Sequence, residues 1–251
     1  MNRLEGKKAL VIGASTGIGR EVCRLFALEG ADVCVGDLGH AVDKASLLGQ
    51  LADFGHDAFA VEVDVLVEEQ VKAAVDATVA RFGRIDIIVN NAGVPSSHYL
   101  LHEEPTEEFD FVMNVNLRGV YFGMKYAIPY MKEQGWGRII NTASNLAHRP
   151  IATGSSYSAS KAGVVALSVV GALELGQYGI TVNTVCPGPT DTPMLRGMGA
   201  PERLNKMLET LPISRVAQPI EIAWAYVYLA SDEASYTTGQ SISPNGGHVM
   251  W

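Results

Sequence analysis

The stretch Ala9–Leu28 reads ALVIGASTGIGREVCRLFAL, and its pattern changes halfway along. Ala9 to Ile12 is an unbroken apolar run, as a buried strand requires. Gly13, Gly17 and Gly19 then allow a sharp turn and a close backbone approach, and from Arg20 to Leu28 the apolar residues recur with helical spacing. Strand, glycine turn and helix in this order point the free N–H groups of the first helical turn at one place, which suits a pyrophosphate. The spacing is G-x-x-x-G-x-G rather than G-x-G-x-x-G, and the strand before and helix after separate it from an ordinary glycine turn.

The alternation continues down the chain. Asp32 to Val35, Ala58 to Val63, Ile85 to Val89, Arg138 to Asn141 and Thr181 to Val185 read as further buried strands, and helix-period segments lie near residues 18–29, 41–54, 67–82, 106–133 and 155–177. Strand and helix repeated in this way predict an α/β fold, a doubly wound parallel sheet covered by helices on both faces. No linker, charge block or internal repeat divides the 251 residues, so one domain is expected. Residues 189–219 depart from tight alternation and carry Met194, Leu195, Met198, Met207, Leu208 and Leu211, which predicts a small helical lid over a pocket.

Composition narrows the partners. The net charge of -8 and the absence of a basic cluster argue against a nucleic-acid or anionic-membrane partner and for a small molecule. Cys23, Cys34 and Cys186 sit in apolar runs at spacings that suit neither a disulfide framework nor a zinc site, so buried free thiols are expected. Met1 to Lys8 lacks an apolar leader core, and no segment reaches 18 uninterrupted apolar residues, which predicts a cytoplasmic protein. His98, His102 and His148 fall in segments near the strand ends, but no pair has metal-ligand spacing, and no metal is expected. His248 and Trp251 read as exposed residues or as residues lying over a neighbouring subunit's pocket.

Asp37 lies 18 residues beyond Gly19 at the end of the second strand, where a carboxylate can accept hydrogen bonds from an adenosine ribose and would repel a 2′-phosphate. Neither the glycine loop nor Leu38 supplies a cation for such a phosphate, so NAD(H) is expected over NADP(H). Tyr157 and Lys161 stand four apart in a helical segment and share one face. Bringing a phenol from a pKa of ~10 to about 7 takes roughly 4 kcal/mol, and one cation at ~4 Å supplies about that much at an effective dielectric near 20. Lys161 is therefore expected to make Tyr157 a proton donor and acceptor at neutral pH.

With the glycine loop, Asn90-Asn91-Ala92-Gly93 after the fourth strand, Ser144 placed 13 residues before Tyr157, Lys161, and Pro187-Gly188 after the sixth strand, the chain resembles the classical short-chain dehydrogenase/reductases from residue 5 to about 247. The resemblance implies a single Rossmann-like domain of about seven strands. It implies Tyr157 as general acid/base, Lys161 as the group that lowers its pKa and holds the nicotinamide ribose, and Ser144 as the hydroxyl that binds the substrate oxygen. Asn116 would hold a water linking Lys161 to solvent, and it matches the family pattern better than Asn114.

For the coenzyme, the resemblance implies that Gly13, Ser15, Thr16, Gly17, Ile18 and Gly19 line the diphosphate, with Asp37 and Leu38 at the ribose. Asp64 and Val65 would flank the adenine, and Asn91, Ala92 and Gly93 would wall the riboses. Pro187, Gly188, Thr190 and Thr192 would orient the carboxamide, and Asn145 and Met194 would join Ser144 and Tyr157 around the substrate. The family's helix faces further imply a homotetramer or homodimer, here through 106–133 and 155–177. Two departures stand out: Ile12 replaces the usual Thr, and Pro244 precedes Asn245-Gly246-Gly247, which predicts a last strand that ends early.

The expected activity is hydride transfer between NAD and a secondary alcohol or ketone. The alternatives are a 3-oxoacyl-thioester reductase with the same four residues and a dinucleotide-binding sensor without turnover; in the latter case loss of Tyr or Lys is the usual mark, and this chain has both.

Overall fold

The structure, a computed structural model, describes residues 2–38, 44–199 and 201–250. The chain alternates β1 (Lys8–Ile12), α1 (Gly17–Leu28), β2 (Asp32–Asp37), α2 (Lys44–Ala52), β3 (Ala58–Glu62), α3 (Glu68–Phe82) and β4 (Ile87–Asn90). After β4 come α4 (Thr106–Met113), α5 (Gly119–Gln134), β5 (Gly137–Thr142), α6 (Ser155–Leu175) and β6 (Ile180–Val185). The last part holds α7 (Pro193–Gly197), α8 (Pro201–Glu209), α9 (Pro219–Ala230) and β7 (Ser241–Ile242). The beginning of the segment expected to be helical at 41–54 lies outside the described residues, as does Trp251.

All strand pairings are parallel, and the seven-stranded sheet runs β3-β2-β1-β4-β5-β6-β7. The chain leaves β1 toward one edge and returns beside it at β4, so the loops after β1 and β4 diverge and open a crevice at the carboxyl ends of the strands. Burial on both faces explains why β1 from Ala9 onward and the first three residues of β4 read as apolar runs. Leu10 and Ile12 pack on one face of β1 with Ile88 and Val75, and Ala9 and Val11 pack on the other with Phe26, Val22 and Val227.

α6 is long and apolar enough to cross a membrane by length and composition, with a mean hydropathy of 1.4 over an 18-residue window within Ser155–Tyr178. Its surroundings account for that character differently. One side lies on the sheet with Val164, Ser168 and Leu175 buried, Ser156, Ser160 and Lys161 are buried near its N-terminal end, and Leu173 is exposed on the other side.

The helix expected over 106–133 is interrupted. Asn114–Arg118 forms a π-helical turn between α4 and α5, a local widening that recurs at functional sites. β7 is only two residues long, and the Pro244 carbonyl beyond it accepts from Gly188 N–H at 3.1 Å. The last strand does end before Pro244, as a residue without an N–H donor requires.

Candidate active site

The glycine loop closes β1 onto α1. Gly13 has φ +81°, and a Cβ there would overlap the Ala92 backbone, with Ala92 Cα at 2.6 Å. A Cβ on Gly19 would run into the Gly13 carbonyl and come within 2.6 Å of Asn91 Nδ2. Both glycines hold the loop after β1 against the loop after β4, so the crevice floor is one packed unit. Gly19→Ala is expected to lower the unfolding free energy by about 3 kcal/mol, which a urea titration followed by circular dichroism would measure.

The Ser15 hydroxyl is buried and has no hydrogen-bond partner among the described residues. An orphaned buried hydroxyl beside glycine-exposed N–H groups at the start of α1 fits a bound diphosphate. Asp37 reaches the loop from the end of β2: its Oδ2 accepts from Ser15 N–H at 2.6 Å and its Oδ1 from Leu38 N–H at 2.8 Å. Asp64 accepts from Leu66 N–H at 2.9 Å through Oδ1. Val65 is buried, and a Cβ on Gly119 would come within 2.8 Å of its side chain.

Asn91 joins the two halves of the crevice. Its Nδ2 donates to the Gly13 carbonyl at 2.7 Å, and its Oδ1 accepts from Thr142 Oγ1 at 3.1 Å. Thr142 Oγ1 also bonds Tyr226 OH at 2.7 Å, so α9 braces the same point from below. Nothing in the sequence singled out Thr142, yet its carbonyl accepts from Lys161 Nζ at 2.8 Å. The amine and the Asn91 wall are thereby fixed to one residue.

Lys161 is 3% exposed, and burial lowers its pKa to about 8. Its Nζ lies 5.9 Å from the centre of the Tyr157 ring. Burial pushes the Tyr157 phenol above its ordinary value, against the opposing hydrogen bond with Ser144. This corrects the expected electrostatics. The two side chains share a helix face, but the Thr142 carbonyl holds the buried amine and the half-buried phenol is shifted up, so the polypeptide alone does not pull the phenol toward neutrality.

Asn116 is fully buried in the π-turn. Its Nδ2 donates to the Val94 carbonyl at 2.9 Å and to Ser160 Oγ at 3.3 Å, and its Oδ1 accepts from Val94 N–H at 2.8 Å. Both amide hydrogens are engaged, which leaves one lone pair on Oδ1 for a water. A Cβ on Gly93 would lie 3.2 Å from that oxygen and 3.4 Å from Lys161 Nζ, so Asn116, Gly93 and Lys161 meet at one place. Asn114 lies apart, in an apolar groove with Leu117, Tyr121, Leu167 and Val170.

Ser144 follows β5 and caps the short 3-10 turn Asn145–Ala147, accepting from Leu146 N–H at 3.1 Å. Its hydroxyl donates to Asn145 Oδ1 at 3.2 Å. Asn145 is buried rather than open to the crevice, and its N–H donates to the Pro187 carbonyl at 3.1 Å. Thr190 Oγ1 donates to the Gly188 carbonyl at 2.9 Å. Thr192 caps α7 and lies against Gly17, and it places the exposed Met194 in the first turn of that helix.

Three features escaped the sequence reading. Glu104, from the segment after β4, accepts from the hydroxyls of both Ser155 and Ser156 and so closes the N-terminal end of α6 two residues before Tyr157. The Thr142 carbonyl is a backbone group and leaves no compositional mark. His248, expected to be exposed or over a neighbour, is 9% exposed and bonds Asn145 within its own chain. His98 and His148 are exposed, and His102 is exposed beside Glu103.

A family model described as enoyl-(acyl carrier protein) reductase matches residues 13–248. The 3-oxoacyl-[acyl-carrier-protein] reductase of Thermotoga maritima is 38% identical over 249 residues, 99% of this chain and all of that one. The cis-4-hydroxycyclohexanecarboxylate dehydrogenase of Sinomonas cyclohexanicum is 40% identical, covering 96% of each chain. The crystal structure of levodione reductase superposes with a TM-score of 0.92 at 35% identity and 97% coverage of both chains. With the glycine loop, the parallel sheet and the Ser144, Tyr157 and Lys161 constellation all in place, the chain belongs to the short-chain dehydrogenase/reductase family of oxidoreductases.

Proposed function

We propose that this oxidoreductase transfers hydride between NAD(H) and a secondary alcohol or ketone. The observation that carries the reading is the convergence of Tyr157, Ser144 and Lys161 beside the glycine crevice, with Asp37 bonded into the loop that receives the diphosphate. A bound nicotinamide supplies the hydride acceptor or donor. In the oxidative direction Tyr157 takes the hydroxyl proton at its phenolic oxygen while Ser144 holds the substrate oxygen. Lys161, held by the Thr142 carbonyl, carries positive charge next to the reacting oxygen, and the free lone pair of Asn116 Oδ1 offers a place for a relaying water.

Gly13, Ser15, Thr16, Gly17, Ile18 and Gly19 hold the diphosphate in this reading. Asp37 and Leu38 take the ribose, Asp64 and Val65 the adenine edge, and Asn91, Ala92 and Gly93 the inner wall. Pro187, Gly188, Thr190 and Thr192 orient the nicotinamide, and Met194 covers the substrate. A cyclic secondary alcohol is the proposed substrate class, in keeping with the cyclohexane ring in the name of the Sinomonas relative. NAD+ is expected to outperform NADP+ by at least ~100-fold, because a 2′-phosphate set against the Asp37 carboxylate meets a like-charge penalty of several kcal/mol. Initial rates at 340 nm with both coenzymes and a panel of cyclic alcohols test this. Equal or better rates with NADP+ would overturn the role of Asp37.

The likeness to the Thermotoga enzyme favours a second reading, reduction of a 3-oxoacyl thioester. NADPH-dependent turnover of a 3-oxoacyl thioester, faster than any cyclic ketone, would establish it. Tight NADH binding with no turnover of any panel member would instead indicate a sensor.

A homo-oligomer belongs to the same proposal. Phe111, Tyr121, Val170 and Leu173 leave apolar surface on α4, α5 and α6, and Leu173 is 81% exposed. Leu173→Glu is expected to shift the protein to a smaller species in light scattering after size exclusion, with no loss of far-UV signal.

A further inference from the structure

Ser144, Asn145 and His248 form one buried hydrogen-bonded chain. Ser144 Oγ donates to Asn145 Oδ1 at 3.2 Å, and Asn145 Nδ2 lies 2.6 Å from His248 Nδ1. His248 comes from the segment beyond β7, 103 residues from Asn145. Arg149 fixes its backbone by donating to the His248 carbonyl at 2.8 Å, and His248 N–H donates to the Asn245 carbonyl at 3.2 Å. A terminal segment is thus tied to the serine that faces the reacting oxygen.

We propose that His248 is a positioning residue which, through the Asn145 carboxamide, sets the direction in which the Ser144 hydroxyl points. The inference rests on the catalytic reading of Ser144 given above. An amide nitrogen has only hydrogens to offer, so Nδ1 of His248 must be the unprotonated acceptor and the ring proton must sit on Nε2. With the carboxamide in that orientation, Oδ1 draws the Ser144 proton toward itself. Ser144 already accepts from Leu146 N–H, so one lone pair remains on the crevice side.

Protonation of His248 places a second hydrogen on the 2.6 Å contact, and two donors cannot share it. Turning the Asn145 amide over relieves the conflict: Oδ1 accepts from His248, and Nδ2 donates to Ser144. Both serine lone pairs are then occupied, and its O–H turns to the crevice as a donor, the form a ketone oxygen needs.

The charged group facing His248 among the described residues is Arg149, and burial together with that guanidinium lowers the histidine's pKa. His148, on the same segment as Arg149, lies 3.8 Å from Cys186 Sγ at the end of β6, and burial raises that thiol. The lid side offers Pro212 against Gly247, with no ionisable group in that contact. Neutral His248 is therefore the ordinary state, and the reversed amide belongs to acidic pH.

The test uses the full chain labelled with 15N-histidine, with His248→Gln to assign the resonance. At neutral pH the ring is expected to show an unprotonated Nδ1 and a protonated Nε2, a preference that relaxes in Asn145→Ala. His248→Phe, which has no acceptor, is expected to lose about 10-fold in kcat, below the ~100-fold cost of deleting an oxyanion donor. Its NADH affinity, read by fluorescence, should not change. His248→Gln keeps an amide that pairs in either orientation and should restore kcat while removing an acid-side step from the ratio of reductive to oxidative rates. A protonated Nδ1 at neutral pH, or wild-type kcat and pH profile in His248→Phe, would overturn the proposal. Absence of any turnover in the parent chain would refute the dehydrogenase reading instead, and the nitrogen spectra would still decide the Asn145 to His248 link.

Discussion

Tyr157→Phe is expected to reduce kcat by roughly 1,000-fold, within the range for loss of a general acid/base, while leaving NADH affinity within a factor of about two. The ring remains, so packing on α6 is preserved; the lost atom is the oxygen that Ser144 approaches. Because burial holds this phenol high while Lys161 keeps its proton only up to about pH 8, the parent enzyme in the oxidative direction should gain rate as pH rises toward about 8 and lose it beyond, and the variant should show no such gain. Stopped-flow hydride transfer with a deuterated alcohol separates this from product release. A variant that keeps more than a tenth of the parent rate would remove Tyr157 from the chemistry.

Lys161→Met should have two effects of opposite sign. Turnover is expected to fall by about 1,000-fold as the buried cation disappears from the reacting oxygen. Folding stability should rise. A buried amine whose pKa falls from 10.5 to about 8 sits at a cost of about 3 kcal/mol while charged. The sign follows from proton binding: between about pH 8 and 10.5 the unfolded chain holds a proton on Lys161 that the folded chain does not, so stability climbs with pH across that window. Below pH 8 the whole penalty is present. Methionine removes it, although the Thr142 carbonyl loses its 2.8 Å donor, and a net gain of about 2 kcal/mol is expected. Urea midpoints at pH 7 and pH 10 check both parts: the advantage of the variant should shrink at the higher pH. Equal stability at both values would show that the lysine is solvated.

The parts of the molecule that could be read in one dimension are those whose physics is local. Gly13 and Gly19 announce a turn because no side chain fits there, β1 and β4 announce themselves as continuous apolar runs, and Tyr157 and Lys161 share a face because helices repeat. What was hidden depends on long-range meeting. Thr142 receives Lys161 through a carbonyl, which every residue carries. Glu104 reaches Ser155 and Ser156 across 51 and 52 residues, and no periodicity reports such a pairing. The direction in which burial moves the Tyr157 phenol was hidden for a related reason: spacing gives the shared face but neither the burial nor the Thr142 carbonyl that holds the amine. His248 was misplaced because only the turn at Asn245 to Gly247, with φ +67° at Gly246 and +86° at Gly247, brings it back under β5.

The widened turn at Asn114–Arg118 winds one residue more into its loop of backbone than a regular α-helical turn holds. Deleting a single position there would restore ordinary winding, but it would swing everything downstream by about 100° relative to everything upstream. Either Asn116 would leave the Val94 clamp or the apolar side of α5 would leave the sheet. Length in this segment is therefore constrained more tightly than residue identity: chains carrying substitutions at Leu117 should be recovered from a random library far more often than chains shortened by one codon.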